Sequence, residues 1–374
     1  FSRELNSPTW RAGANPISQR FQLDQISLLG SSPTPSPSAA NAPAIQAKFG
    51  LQWSTTSSRW QYVGTQGTAL LSAIPTPAPN GSPQPDFFQI LNYAYPGHTI
   101  DQILSLGASI IDQYDADQVT TGIEYAPASG VAWGAEDRSP VIAMGTPVPS
   151  PSPSVTVTPA LQRPFQNVGE LGYVYNPVTG NTLDFRTIGS SEAALLDFFT
   201  YNTTDNTALY HLPYPLRAGP VNINTRNSAV IAALVTGALP TWPPPGTGVP
   251  SSSATPAATL ITNATSVQPA GYDAGQSVGR QDLARLAAAV ADTIGSSEEA
   301  QETIARALSD TTQTRTWGLL IDVIAQTGRY APGATSVGQA NKFVVQGEQH
   351  YWVHVAIDRF TNQVIDKQIE VVTE

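Results

Sequence analysis

The stretch IIDQYDADQ at 110–118 sets Asp112, Asp115 and Asp117 within six positions, directly after the apolar run QILSLGASII. Three carboxylates this close can end a helix in solvent, hold a metal ion, or work as an acid–base pair. Only 12% of the 374 residues are charged, about half the roughly 25% usual in soluble domains, so the grouping stands out. Glu124 and Glu136 follow along the chain, and their spacing alone indicates nothing about glycoside chemistry. The histidines are His98, His211, His350 and His354. The last two have H-x-x-x-H spacing, but they fall in a strand-like stretch. At strand rise they stand about 13 Å apart, too far for one ion to take both, and they read as a half-exposed sheet face. No G-x-S-x-G elbow, phosphate-binding glycine loop or cysteine is present. Serine-elbow hydrolysis, P-loop chemistry, thiolate metal sites and disulfides are therefore excluded.

The elements that must position these residues are legible from periodicity. Residues 47–63 read as a helix end followed by an aromatic strand. Apolar residues at helical spacing (Phe87, Ile90 and Leu91, then Ile103, Leu106 and Ile110) predict two helices over 86–113, split at Pro96-Gly97. GSSEAALLDFFTY at 189–201 opens with a serine cap and an early Glu192. In GPVNINTRNSAVIAALVTGAL, Asn222, Asn224 and Thr225 sit at a strand-to-helix corner. Thr225 is the expected cap of a short buried helix ending at Gly237, and the three polar residues read as folding devices.

Residues 277–329 read as helical throughout. Leu283, Leu286, Val290 and Ile294 form one stripe ended by Gly295, and Ser296 with Glu299 makes a capping box. A third helix is expected through Trp317, Leu320 and Ile324, closed by Gly328. The last residues, rich in Val, Ile, Tyr and Trp, predict a β-meander of about three strands turning at Gly347 and Thr361-Asn362. Tyr351, Val353, Val355 and Ile357 share one of its faces. Four Pro/Ser-rich stretches (31–44, 73–85, 145–159 and 240–259) read as extended connections.

The formal charge is −10 with no Lys/Arg cluster, which argues against nucleic acid or an anionic membrane as partner. Lysine is limited to Lys48, Lys342 and Lys367, while Ser, Thr, Asn and Gln supply polarity alongside 32 prolines; such a surface suits an extracytoplasmic protein, in a periplasm or on a cell surface. No apolar run approaches the ~20 residues of a membrane span. Beginning at Phe1, the chain reads as a processed or partial form.

Several of these pieces fall into one order: IIDQYDADQ, then GAED at 134–137, PFQNVGELGYV at 164–174 and GPVNINTRNSAVIAAL at 219–234. This order resembles the large K-type minor pseudopilin of type II secretion. NPISQRFQLDQISLLG, DFFQILNYA, RPFQNVGELGYVY and NKFVVQGEQHYWVHVAIDRFTNQVID resemble more closely the C-terminal half of the Verru_Chthon cassette protein A family. The resemblance covers nearly the whole chain. It implies an α+β fold: a pseudopilin-like core, a C-terminal antiparallel β-meander and an inserted small helical subdomain. The expected division is 1–72 as the start of the core, 73–239 as a mixed region with the Asp-rich turn and the N-x-N-T corner, 260–335 as the helical subdomain and 336–374 as the meander. The implied role is that of a non-enzymatic structural subunit of a pseudopilus-like or secretion-related envelope assembly. Smaller prepilin-like proteins would be its partners, and it would meet a membrane only through an anchor absent from this chain.

In a pseudopilin without disulfides, Asp112, Asp115 and Asp117, together with Glu124 or Glu136, would hold Ca²⁺. D-x-x-D-x-D in a turn supplies two or three of the oxygens, although the spacing is not that of an EF-hand. Two other classes compete. A secreted carbohydrate- or surface-binding module would group Trp53, Trp60, Trp133, Trp242 and Trp352 on one flat face. A divergent hydrolase would place Asp112, Asp115 and Glu136 in a pocket with a raised carboxylate pKa.

Overall fold

The computed structural model describes residues 3–5, 20–30, 40–64, 71, 85–115, 119–125, 130–136, 139–140, 161, 163–201, 216–218, 220–239, 248–266, 279–295, 297–314, 316–358 and 364–372. The chain mixes helix and strand, with a three-stranded antiparallel sheet at its C-terminus. Helix α1 (Ala42–Phe49) leads into the hairpin β1 (Leu51–Ser54) and β2 (Arg59–Tyr62). Helices α2 (Phe87–Ala94) and α3 (Ile100–Tyr114) then cross over to β3 (Gly122–Tyr125), which runs parallel to β2, and β4 (Val131–Trp133) closes the four-stranded sheet.

Both crossover helices begin as their sequences dictate. Asp86 accepts the Gln89 N–H at 2.9 Å while the Gln89 side chain accepts the Asp86 N–H at 3.0 Å, and Thr99 and Gln102 form the same reciprocal box on α3. Asp86 is fully buried and also accepts the Tyr62 hydroxyl at 3.0 Å, tying α2 to β2. Four phenyl rings (Phe21, Phe49, Phe87 and Phe199) interlock around this point with centroids 5.2–6.0 Å apart.

Among the described residues, four further helices of six residues or more follow: α4 (Ser228–Val235), α5 (Ser251–Ala264), α6 (Leu283–Ile294) and α7 (Thr303–Leu308). The α6 stripe packs inward as its spacing requires, and the buried apolar residues from Phe21 to Leu308 make one contiguous core. Asn227, two residues beyond Thr225, caps α4 by accepting the Ala229 N–H at 3.1 Å; Thr225 Oγ1 accepts the Asn227 N–H instead. The shift follows from the Asn222 side chain accepting the Asn224 N–H at 2.9 Å, which prolongs the turn. Ser296 lies outside the described residues, and the helical turn after Gly295 is capped by Ser297, which accepts the Ala300 N–H at 3.2 Å.

The third helix expected in 277–329 is strand. β5 (Thr316–Tyr330) pairs along its length with β6 (Phe343–Asp358), which pairs with β7 (Val364–Val372). TWGLLIDVIAQTGRY satisfies both periods, because Leu319, Leu320, Ile321, Val323 and Ile324 are apolar on every side. Its β-branched residues and the long partner strand decide the outcome. The meander thus starts at 316 rather than 336. Gly347 is not a turn; it lies within β6, where the ladder shifts register opposite Thr327 and Gly328. Thr361-Asn362 lies outside the described residues. No described helix is long and apolar enough to cross a membrane.

Candidate functional site

Asp112 lies on the inner face of α3, one turn after Ala108, and is fully buried. Its Oδ1 accepts the Thr121 N–H at 2.8 Å, which pins the chain as it returns from the helix toward β3. Gly134 passes so close that a Cβ there would strike Asp112 Oδ2 and sit 2.7 Å from the Ala108 carbonyl carbon. The carboxylate thus anchors a crossover from inside, a role beyond the three its spacing offered.

Asp115 caps the end of α3. Asp117 lies outside the described residues, and Glu136 is described in its backbone only. Glu124 faces the other way, on β3, where it accepts Ser57 Oγ–H at 3.0 Å and Gln61 Nε2–H at 3.1 Å and pairs with Arg59 at 3.5 Å. The Gln61 hydrogen bond, ahead of the Ser57 and Arg59 contacts, holds its carboxyl below the usual glutamate range. Asp112 and Glu124 are therefore committed to different neighbours. Among the described residues no three His, Asp or Glu side chains form a metal-sized group, so calcium at the full set remains a proposal.

The carboxyls that burial raises lie elsewhere, inside the helical body: Glu192, Asp197 (to about 6) and Glu302 (to about 8). Each is engaged with backbone. Asp197 accepts the Arg280 and Gln281 N–H groups at 2.6 and 3.2 Å, and Glu302 accepts the Phe185 N–H at 2.8 Å while facing Arg306 at 3.6 Å. Asp310 accepts the Val168 N–H at 2.8 Å, and Arg163 grips Glu170 with two bonds of 2.9 and 3.0 Å. The segment NVGELGY is in this way locked under α7 as a buried 3₁₀ turn over Val168–Tyr173. Gly169 lets the two backbones approach, since a Cβ there would sit 2.6 Å from the Arg306 Cα, and Gly172 leaves room for Glu302, whose Oε2 would lie 2.6 Å from a Cβ.

A cleft of about 190 Å³ opens where the β1–β2 turn meets the end of α3. Trp53, Trp60 and Trp133 line it, with Ser58, Arg59, Asp115 and Thr120 supplying polar groups. Trp53 and Trp60 meet edge-to-face at 5.1 Å, and the Arg59 guanidinium lies over the Trp133 ring, 5.1 Å from its centroid. Ser58 is the one non-glycine with positive φ (53°) among the described residues. Of the other tryptophans expected on a shared face, Trp352 lies on the terminal sheet and Trp242 lies outside the described residues. Three of the five named tryptophans therefore come together.

The terminal sheet presents the second unusual surface. Its register places Leu319, Ile321 and Val323 beside Val355, Val353 and Tyr351, with Ile369 and Val371 on the next strand. This face is open and largely apolar, with Lys367 opposite Val355 the charged exception: Ile321 is 44% exposed and Ile369 54%. The opposite face is mixed: Asp322, His350, His354 and Glu370 alternate with the exposed Leu320, Ile324 and Trp352, and the two histidines engage Glu348 and Glu370. Nothing in the spacing of β5 read as a helix could have revealed this patch; alternation at 319, 321 and 323 was its sequence signal. Compared with protein-family models, curated proteins and solved structures, the chain finds no match in any of the three.

Proposed function

We propose that the chain is a non-enzymatic structural subunit of a pseudopilus-like or secretion-related envelope assembly, of the minor-pseudopilin kind, joined to smaller prepilin-like proteins outside the cytoplasm. The observation that carries this reading is the open apolar face of the β5–β7 sheet. Apolar residues on a sheet are stabilised when another layer covers them, and among the described residues Ile321, Leu320 and Ile369 stay exposed. Large contiguous apolar surface on an otherwise polar protein marks a docking site. The reverse face mixes charged groups with the exposed Leu320, Ile324 and Trp352, so apolar surface is open on both sides of the sheet.

The chain carries its own probes for a test. Lys342 and Lys367 flank and lie on the terminal sheet, and Lys48 sits at the end of α1. Amine-reactive cross-linking of native envelopes, read by mass spectrometry, should join Lys342 and Lys367 to small proteins with prepilin-type N-termini. Ile321→Arg should remove those links. Links confined to Lys48, or partners without such N-termini, would defeat the reading.

A further inference from the structure

The tryptophan cleft plays no part in the assembly reading and stands independently of it. We propose that it binds one uncharged sugar ring of a glycan. Its size is below the roughly 300–1,000 Å³ of sites for drug-sized ligands, which fits a single ring better than an extended chain. The partly exposed Trp53 indole offers an apolar wall to the C–H face of a pyranose, with Trp60 and Trp133 behind and beside it, while hydroxyl, carboxylate and guanidinium groups at the rim match its hydroxyls.

Charge narrows the choice. The Arg59 guanidinium is met by Glu124 at 3.5 Å and Asp115 adds a carboxylate, so the cleft does not favour an anion. The same guanidinium covers the Trp133 face that a quaternary ammonium would need, which argues against an aromatic cage for a cation. Ser58, at the rim, is held in a left-handed conformation that costs a non-glycine residue energy. Such strain collects at ligand clamps. Trp60 is buried and Trp53 packs on the core, so the walls are fixed before any ligand arrives.

The test is titration of the ¹⁵N-labelled chain, followed through its indole N–H resonances. The probes are methyl glycosides and short oligosaccharides of glucose, galactose, mannose and N-acetylglucosamine, with choline chloride and sodium phosphate beside them. The expected result is a saccharide that moves the Trp53, Trp60 and Trp133 signals and leaves Trp352 in place. Because Trp53→Ala would disturb the core, Trp53→Phe and Asp115→Asn are the informative variants. Each should weaken binding about fivefold or more, or about 1 kcal/mol, with thermal unfolding unchanged. The proposal is overturned if no saccharide moves these signals at millimolar concentration. It is equally overturned if choline or phosphate alone moves them, or if both variants bind as the native chain does.

Discussion

The helical body and the terminal sheet handle their side chains in opposite ways. The body buries charge: Asp112, Asp197, Glu302 and Asp310 lie inside, each accepting backbone N–H groups from a distant segment. The sheet exposes apolar residues on strands of 15 and 16 residues, far longer than the usual five or six. Buried carboxylates that hold loops fix one conformation of the connections between helices. Exposed valines and isoleucines on a regular lattice add little until something covers them. The body thus turns its interactions on itself, while the sheet keeps apolar surface exposed.

The sharpest contrast is between equal truncations in the two regions. Phe87→Ala, at the centre of the phenyl cluster, should lower the unfolding free energy by about 3–5 kcal/mol in denaturant titration. Asp112→Ala should cost about 1–3 kcal/mol by stranding the Thr121 N–H, with Asp112→Asn recovering most of it. A neutral result for the alanine variant would mean the crossover is held by packing alone.

Glu302 makes the comparison depend on pH. Burial, opposed by the Phe185 N–H and Arg306, raises its carboxyl from 4.5 to about 8. Between those values the folded chain holds a proton that the unfolded chain has lost, so this group's contribution to stability falls as pH rises, by at most about 1.4 kcal/mol per pH unit, and levels off above 8. Thermal unfolding of Glu302→Gln between pH 5 and 8 should therefore show a flatter profile than the native chain; parallel profiles would remove the buried acid from the account. The smallest effects belong to the surface. Glu124→Gln, in a half-exposed ion pair, should change stability by less than about 1 kcal/mol. Ile321→Ala, in the isolated chain, should change it by about 0.5 kcal/mol or less. A loss of 2 kcal/mol or more at Ile321 would show that the sheet face is already covered.

Where one period dominated, the sequence was a sound guide. Helices α2, α3 and α6 follow from their stripes and caps, and Pro96-Gly97 breaks the first two apart as expected. It misled where a segment met two periods at once: 316–330 carries helical and strand spacing together, and only its partner strand chooses between them. The aspartate cluster was visible, but its use was not. Burial of Asp112 depends on where Thr121 and Gly134 return in space, a long-range fact that no local spacing encodes. For the same reason Trp53, Trp60 and Trp133 could be named as candidates for a shared face without any sign that they meet in one cleft.

The order of the terminal sheet has a consequence for handling the protein. With β6 in the middle, β5 and β7 each turn a long outer ladder of amide and carbonyl groups outward, and among the described residues neither ladder is paired on its outer side. A long unpaired edge of this kind, flanked by exposed apolar side chains, can template strand addition from a neighbouring copy. The purified chain should accordingly form concentration-dependent aggregates that bind amyloid-sensitive dyes, and Ile321→Lys should reduce them. A partner that covered this sheet would then act as a solubility factor before it acted as a structural one.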